Sequence, residues 1–160
     1  MTKPNKPLLT KTQTGWIWVA MQLMLIVALL AAPKKPVWHA MLGLGWLFFF
    51  AGLALFAAAF IALGHTFTSN PVPKHDGELA THGIYRFIRH PMYTAVLLCA
   101  LGWSMLLGGA WHYIITAALL LFFWAKSDAE ERWLHRHYAD YADYRARTGR
   151  FLPRLFSAKR

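Results

Sequence analysis

The stretch GIYRFIRHPMYTAVLLCALGW, Gly83 to Trp103, decides how this chain folds. Its first eleven residues hold two arginines, a histidine and two tyrosines, and the ten that follow carry no charge at all. Pro91 stands at the border and suits the first turn of a helix, where its missing N–H has no partner to lose. A basic, aromatic entry therefore opens directly into a long apolar helix. Two readings of that entry are open. Arg86, Arg89, Tyr85 and Tyr93 are either anchors at a membrane–water interface or the polar mouth of a binding site. In the second reading the free N–H groups near Met92 and Tyr93 face an anionic group, the arginines pair with carboxylate or phosphate, and the tyrosines pack on a base or a cation.

Working outward, the rest of the chain repeats the apolar half of that pattern. Of 160 residues, 57% are hydrophobic and 16% aromatic, and the charges stay out of the apolar runs, which is the composition of a membrane protein. Four runs read as membrane helices: 15–32, broken only by Gln22, then 37–64, 92–107 and 110–125. The last two are short for a hydrocarbon layer of about 30 Å and either borrow Pro91 and Lys126 or form a hairpin. Gly43, Gly45 and Gly52 in the second run suit close helix contact. The fold class is thus an all-α integral membrane protein of about four spans, a single domain with a polar tail over 1–14 and a C-terminal amphipathic helix. Pro33-Lys34-Lys35-Pro36 follows the first run without a cleavage-site pattern, so it reads as a span and not a secretory leader.

A net charge of +10 invites a nucleic-acid partner, but the basic residues cluster at the ends of apolar runs, where anionic lipid headgroups attract them. One cysteine, Cys99, excludes a disulfide framework. Fifteen of the 17 Lys and Arg fall in the N-terminal tail, the 65–91 loop and the segment after residue 125. The positive-inside rule places these, and both termini, on the cytoplasmic side, with short loops pointing to a bacterial inner membrane. Two polar segments thereby share one face. The second, AKSDAEERWLHRHYADYADY over 125–144, puts Leu134, Tyr138, Tyr141 and Tyr144 on one helical stripe. Glu131 and His135, with His90 and His137, are a conceivable metal set, but no recognised metal-ligand spacing is present and no metal is expected. His39 and His112 read as packing or interfacial groups, as does Gln22.

Taken together, Gly83, Tyr85, Arg86, Arg89, His90, Pro91 and Tyr93, then Glu130, Glu131, Leu134, Tyr138-Ala139, Tyr141, Tyr144 and Pro153, resemble the isoprenylcysteine carboxyl methyltransferase family and its membrane phospholipid methyltransferase relatives. The match runs over roughly 64–156. The resemblance implies an S-adenosyl-L-methionine-dependent methyltransferase working at the membrane boundary. Its acceptor is lipid-like or a small amphiphile bearing a carboxylate, thiol or amine. It also implies cofactor contacts at His90, Pro91, Met92, Tyr93, Tyr85 and Glu130, with Gly77, Glu78, Leu79, Ala80 and Asn70 upstream. Lys126 stands where eukaryotic members use an arginine for the acceptor carboxylate; a lysine is a point charge, not a bidentate fork. Arg86, Arg89 or Lys126 would orient an anionic acceptor, and His90 or Glu131 would serve as base. The competing readings are an NADPH-dependent sterol-type reductase and a non-enzymatic lipid- or partner-binding membrane protein. Nothing in the sequence sets an oligomeric state.

Overall fold

The structure, a computed structural model, describes residues 11–36, 39–64 and 79–154. The described residues are helical: α1 Lys11–Ala31, α2 His39–Leu63, α3 Pro91–Leu107, α4 Ala110–His137 and α5 Tyr141–Arg147. Helix α1 begins four residues before the first apolar residue, since nothing between Lys11 and Gly15 breaks a helix. The Met41–Leu63 part of α2 is long and apolar enough to cross a membrane, while Gly15–Ala31 and Pro91–Leu107 are shorter apolar helices.

Two of the expected elements end differently. The run 110–125 does not stop at Lys126: α4 extends to His137, 28 residues in all, about 42 Å at the α-helical rise. The charged residues that follow the apolar run are good helix formers, so the change in polarity does not change the backbone. The C-terminal amphipathic helix, expected to run unbroken through the stripe from Leu134 to Tyr144, is cut instead at Tyr138–Asp140, where Tyr138 adopts an extended backbone (φ −113°, ψ 121°). A straight helix would carry Tyr141 and Tyr144 away from the bundle. The break turns α5 back so that both rings are buried and the Tyr144 hydroxyl donates to the Tyr85 carbonyl at 2.8 Å.

The helices pack as two antiparallel pairs. The Lys35 amide donates to the Leu107 carbonyl at 2.9 Å, tying the α1–α2 connection to the α3–α4 connection at one end. The polar segments lie at the opposite end. Between α1, α3 and α4 sits a core of Leu29, Ala100, Leu119, Phe122 and Phe123, with Trp18, Leu25, Ile26 and Tyr93 packed against it. The α2–α3 seam is closer still. A Cβ on Gly102 would lie 2.6 Å from both the Gly45 carbonyl oxygen and the Phe49 nitrogen, and one on Gly52 would lie 2.6 Å from Cys99 Sγ. Two of the three glycines expected at a helix contact, Gly45 and Gly52, are there; Gly43 faces open space. Large apolar side chains meanwhile cover the outside, among them Trp16, Met24, Leu47, Ile61, Leu121 and Trp124.

Gly102→Val must push α3 off the backbone of α2. It is expected to cost about 1–3 kcal/mol, the usual price of overpacking, whereas Gly43→Ala is expected to be neutral. Thermal unfolding of both variants in neutral detergent checks this, and equal midpoints would contradict the packing described.

Candidate active site

Three backbone devices bring the polar segments together. First, Gly83 opens a 3-10 turn, Gly83–Arg86, with φ +57°, and a Cβ there would press on the Ala62 side chain at 2.9 Å. Glycine is needed on both counts. Second, the chain after α5 runs beside the chain before α3. The Gly149 amide donates to the Phe87 carbonyl (3.1 Å), the Arg89 amide to Gly149 (2.8 Å) and the His90 amide to Arg150 (3.1 Å). Third, the Thr94 hydroxyl donates to the Phe151 carbonyl at 2.8 Å, fixing the first turn of α3 to the same strand-like segment.

Glu131 gathers the cations. Its Oε1 accepts from Arg89 Nε at 3.0 Å and lies 3.3 Å from His90 Nε2. Its Oε2 faces Arg150 Nη2 at 3.3 Å and Arg145 Nε at 3.4 Å. The Arg89 guanidinium is also tied to backbone, since Nη1 donates to the Arg145 carbonyl at 3.1 Å and to the Thr148 carbonyl. Glu131 is only 3% exposed. Burial alone would raise its carboxyl, but the hydrogen bonds and charges of His90 and Arg89 outweigh it and hold it at about 2. Such a carboxylate is a weak base near neutral pH, which tells against Glu131 as the proton acceptor and makes it an anchor.

Glu130, one residue earlier, has the opposite character. Its Oε1 accepts from the Tyr93 hydroxyl at 2.6 Å, and its Oε2 lies 3.6 Å from His90 Nδ1. Burial, with the neighbouring Glu131 charge, raises its carboxyl against the pull of His90, Tyr93 and Lys126. The His90 ring therefore stands between two carboxyls pushed apart in acidity, the pattern that separates acid from base roles in one site. His90 stacks on Tyr93 (centroids 5.4 Å, 3° between planes) and Tyr93 on Phe123 (4.6 Å, 17°). The Lys126 ammonium sits over the Tyr93 ring at 5.1 Å and donates to Gln22 Oε1 at 2.8 Å.

Of the residues expected from sequence, Arg89, His90, Pro91, Tyr93, Lys126, Glu130 and Glu131 come together here. Tyr85 is buried close by, its phenol pushed up to about 12 by burial and then by the Glu130 charge. Met92 is half-buried in the first turn of α3; Leu79 and Ala80 are half-buried ahead of the 3-10 turn; Arg86 is exposed. Asn70, Gly77 and Glu78 lie outside the described residues. Among the described residues no group of three or more His, Cys, Asp or Glu is placed to hold a metal. Arg145, Thr148, Arg150 and Phe151 join the cluster without being expected from the sequence, and Gln22, expected as a packing or interfacial group, bonds Lys126. The usable signals were a lone amide in an apolar run and a second basic–aromatic pair, Arg150-Phe151, just past the last helix.

The Glu131 carboxyl is depressed on folding, from 4.5 to about 2. Its contribution to stability is therefore complete above about pH 4.5 and is lost as pH falls through about 2. Glu131→Gln is expected to cost about 2 kcal/mol near neutral pH, the full shift discounted for solvent screening. It should also flatten the acid limb of the stability profile. Unfolding followed between pH 2 and 7 checks both, and a variant with an unchanged acid limb would contradict the anchor role.

The family model for phospholipid methyltransferase matches residues 40–141, which takes in α2, α3, α4 and the paired glutamates. The protein-S-isoprenylcysteine O-methyltransferase of Schizosaccharomyces pombe is 31% identical over 106 residues, covering 64% of this chain and 45% of that one. The cobalt-zinc-cadmium resistance protein CzcN of Cupriavidus metallidurans is 32% identical over 83 residues, 51% of this chain and 38% of that one. The chain thus spans less than half the length of these curated relatives. With the match running through the helices that carry His90, Tyr93, Glu130 and Glu131, the chain belongs to the phospholipid methyltransferase family of membrane proteins.

Proposed function

We propose that the chain is an S-adenosyl-L-methionine-dependent methyltransferase acting at the membrane boundary on a lipophilic or small amphiphilic acceptor. The observation that carries this is the His90 imidazole held between Glu130 and Glu131 at the start of α3, beside the Tyr93–Phe123 stack. The groups present suit the cofactor's chemistry. Carboxyl and aromatic faces match a sulfonium cation and ribose hydroxyls. The Tyr93 amide, expected to be free, donates to the His90 carbonyl at 3.1 Å, so Arg150 and the Met92 end of the turn are left to match an amino-acid carboxylate. His90, Pro91, Met92, Tyr93, Tyr85 and Glu130 would hold it, with Leu79 and Ala80, and with Asn70, Gly77 and Glu78 from the preceding segment. When bound, it supplies an electrophilic methyl group for in-line displacement.

The protein's part is then alignment, proton handling and exclusion of water. Arg89 and Glu131 lock the His90 segment to α4 and so set the angle at which His90 and Glu130 meet the ligands. Lys126 orients the acceptor, with exposed Arg86 available to an anionic headgroup outside. A carboxylate acceptor needs no base. An amine or thiol must shed a proton, and the His90–Glu130 pair takes it up, because burial disfavours the charged form of that carboxyl. The apolar outer faces of α1, α2 and α4 and the basic 126–154 segment support four spans with both termini and the site on the cytoplasmic side of a bacterial inner membrane.

Calorimetry on the detergent-purified chain is expected to show S-adenosylhomocysteine binding. Glu130→Ala and His90→Ala should each weaken it at least tenfold, about 1.4 kcal/mol, with helical content retained. Thermal shifts separate the competing readings, because only a true ligand stabilises the fold. S-adenosylhomocysteine should raise the midpoint and NADPH should not. A shift with NADPH alone would mark a reductase, and no shift with either would leave a binding protein.

A further inference from the structure

Lys126 is 4% exposed, and a buried ammonium is costly unless something compensates it. The other cations of the cluster meet Glu131, whereas Lys126 makes no ion pair among the described residues. Its contacts are a neutral amide oxygen, Gln22 Oε1 at 2.8 Å, and the Tyr93 ring. An ammonium has three donors, and Gln22 uses one. A glutamate at position 22 would cancel the charge and an apolar residue would leave the flexible lysine stem loose. Glutamine does neither. It fixes the ammonium and adds no second negative charge to that of Glu130, one turn on, which already acts on it at longer range.

The position of the pair says what that charge is for. Lys126 lies one helical turn before Glu130 on α4, against the ring whose hydroxyl bonds Glu130. Gln22 is a polar residue within the apolar run of α1, and the outer faces of both helices carry exposed apolar side chains: Trp16, Met24, Leu121 and Trp124. A molecule with an apolar chain in lipid and an anionic oxygen at its head meets Lys126 at the border between the two environments.

We infer that Gln22 is a positioning residue that presents the Lys126 ammonium to the anionic oxygen head, phosphate or carboxylate, of the methyl acceptor. This deepens the methyltransferase reading and rests on it. The alternative is that Gln22 merely stitches α1 to α4, and the two differ at one substitution. Gln22→Glu keeps the hydrogen-bond acceptor and adds an ion pair, so a stitch would be preserved or strengthened. An anion site would be neutralised.

The test measures binding of dodecyl phosphate, laurate and dodecanol to the full chain in neutral detergent, with S-adenosylhomocysteine affinity measured in parallel. The wild type is expected to favour the anionic heads over dodecanol roughly tenfold, and the stronger of the two anions identifies the head. Gln22→Glu should fold with an unfolding midpoint at or above wild type yet lose the preference, and Gln22→Met should lose it too. A wild type without preference, or a Gln22→Glu variant that keeps it, overturns the inference. Failure of S-adenosylhomocysteine to bind wild type would remove the methyltransferase reading, while the amphiphile titrations still decide whether residue 22 sets an anion preference.

Discussion

Glu131 is the constraint on which the polar end of this molecule depends. One buried carboxylate faces Arg89 and His90 from the start of α3, Arg145 from α5 and Arg150 from the segment beyond it. Without those partners a buried charge would cost several kcal/mol. Without the charge, Arg89 and Arg145 would face no carboxylate among the described residues, and Arg150 would keep only Asp128, at 3.4 Å. The arrangement holds only if all the segments arrive together. That is why the Phe87–His90 and Gly149–Arg150 backbones pair and why the helix breaks at Tyr138 to bring α5 back.

This anchor lets the neighbouring group behave differently. Glu130 and Glu131 are adjacent in sequence, but consecutive residues of a helix point about 100° apart, so their surroundings diverge. One carboxyl is surrounded by cations and stays charged; the other is buried beside Tyr93 and His90, and that burial disfavours its charged form. His90, touching both, joins the cation-bound anchor to a carboxyl whose charged form burial disfavours. The stack of His90, Tyr93 and Phe123 then runs from that anchor into the apolar core, so the polar end and the apolar core meet at one ring.

Much of this was legible in the chain. The apolar runs, the Pro91 helix start and the Arg89-His90-Pro91 and Glu130-Glu131 pairs were readable, because each is a local pattern with a local cause. The expectation that two polar segments share one face matches where the structure sets Arg89, His90 and Tyr93 against Lys126, Glu130 and Glu131, while Arg86 stays exposed. What was not legible depended on tertiary neighbours. The different fates of Glu130 and Glu131 follow from which of the two carboxyls meets Arg89, 42 positions before Glu131, and that pairing is set by the fold and not by any local pattern. The break at Tyr138 gives no composition signal, as the tyrosine stripe continues through it. Gln22 looked like a tolerated polar residue until the fold set Lys126 beside it, 104 positions away.

The most direct measurement is transfer of a labelled methyl group from S-adenosylmethionine by the purified chain, reconstituted in vesicles made from a bacterial lipid extract. Label is predicted to appear in the organic-extractable fraction, in proportion to the amount of folded chain, and to vanish with His90→Ala. Label that stays entirely in the aqueous cofactor, from a chain that is folded and binds S-adenosylhomocysteine, would contradict a lipid-side acceptor.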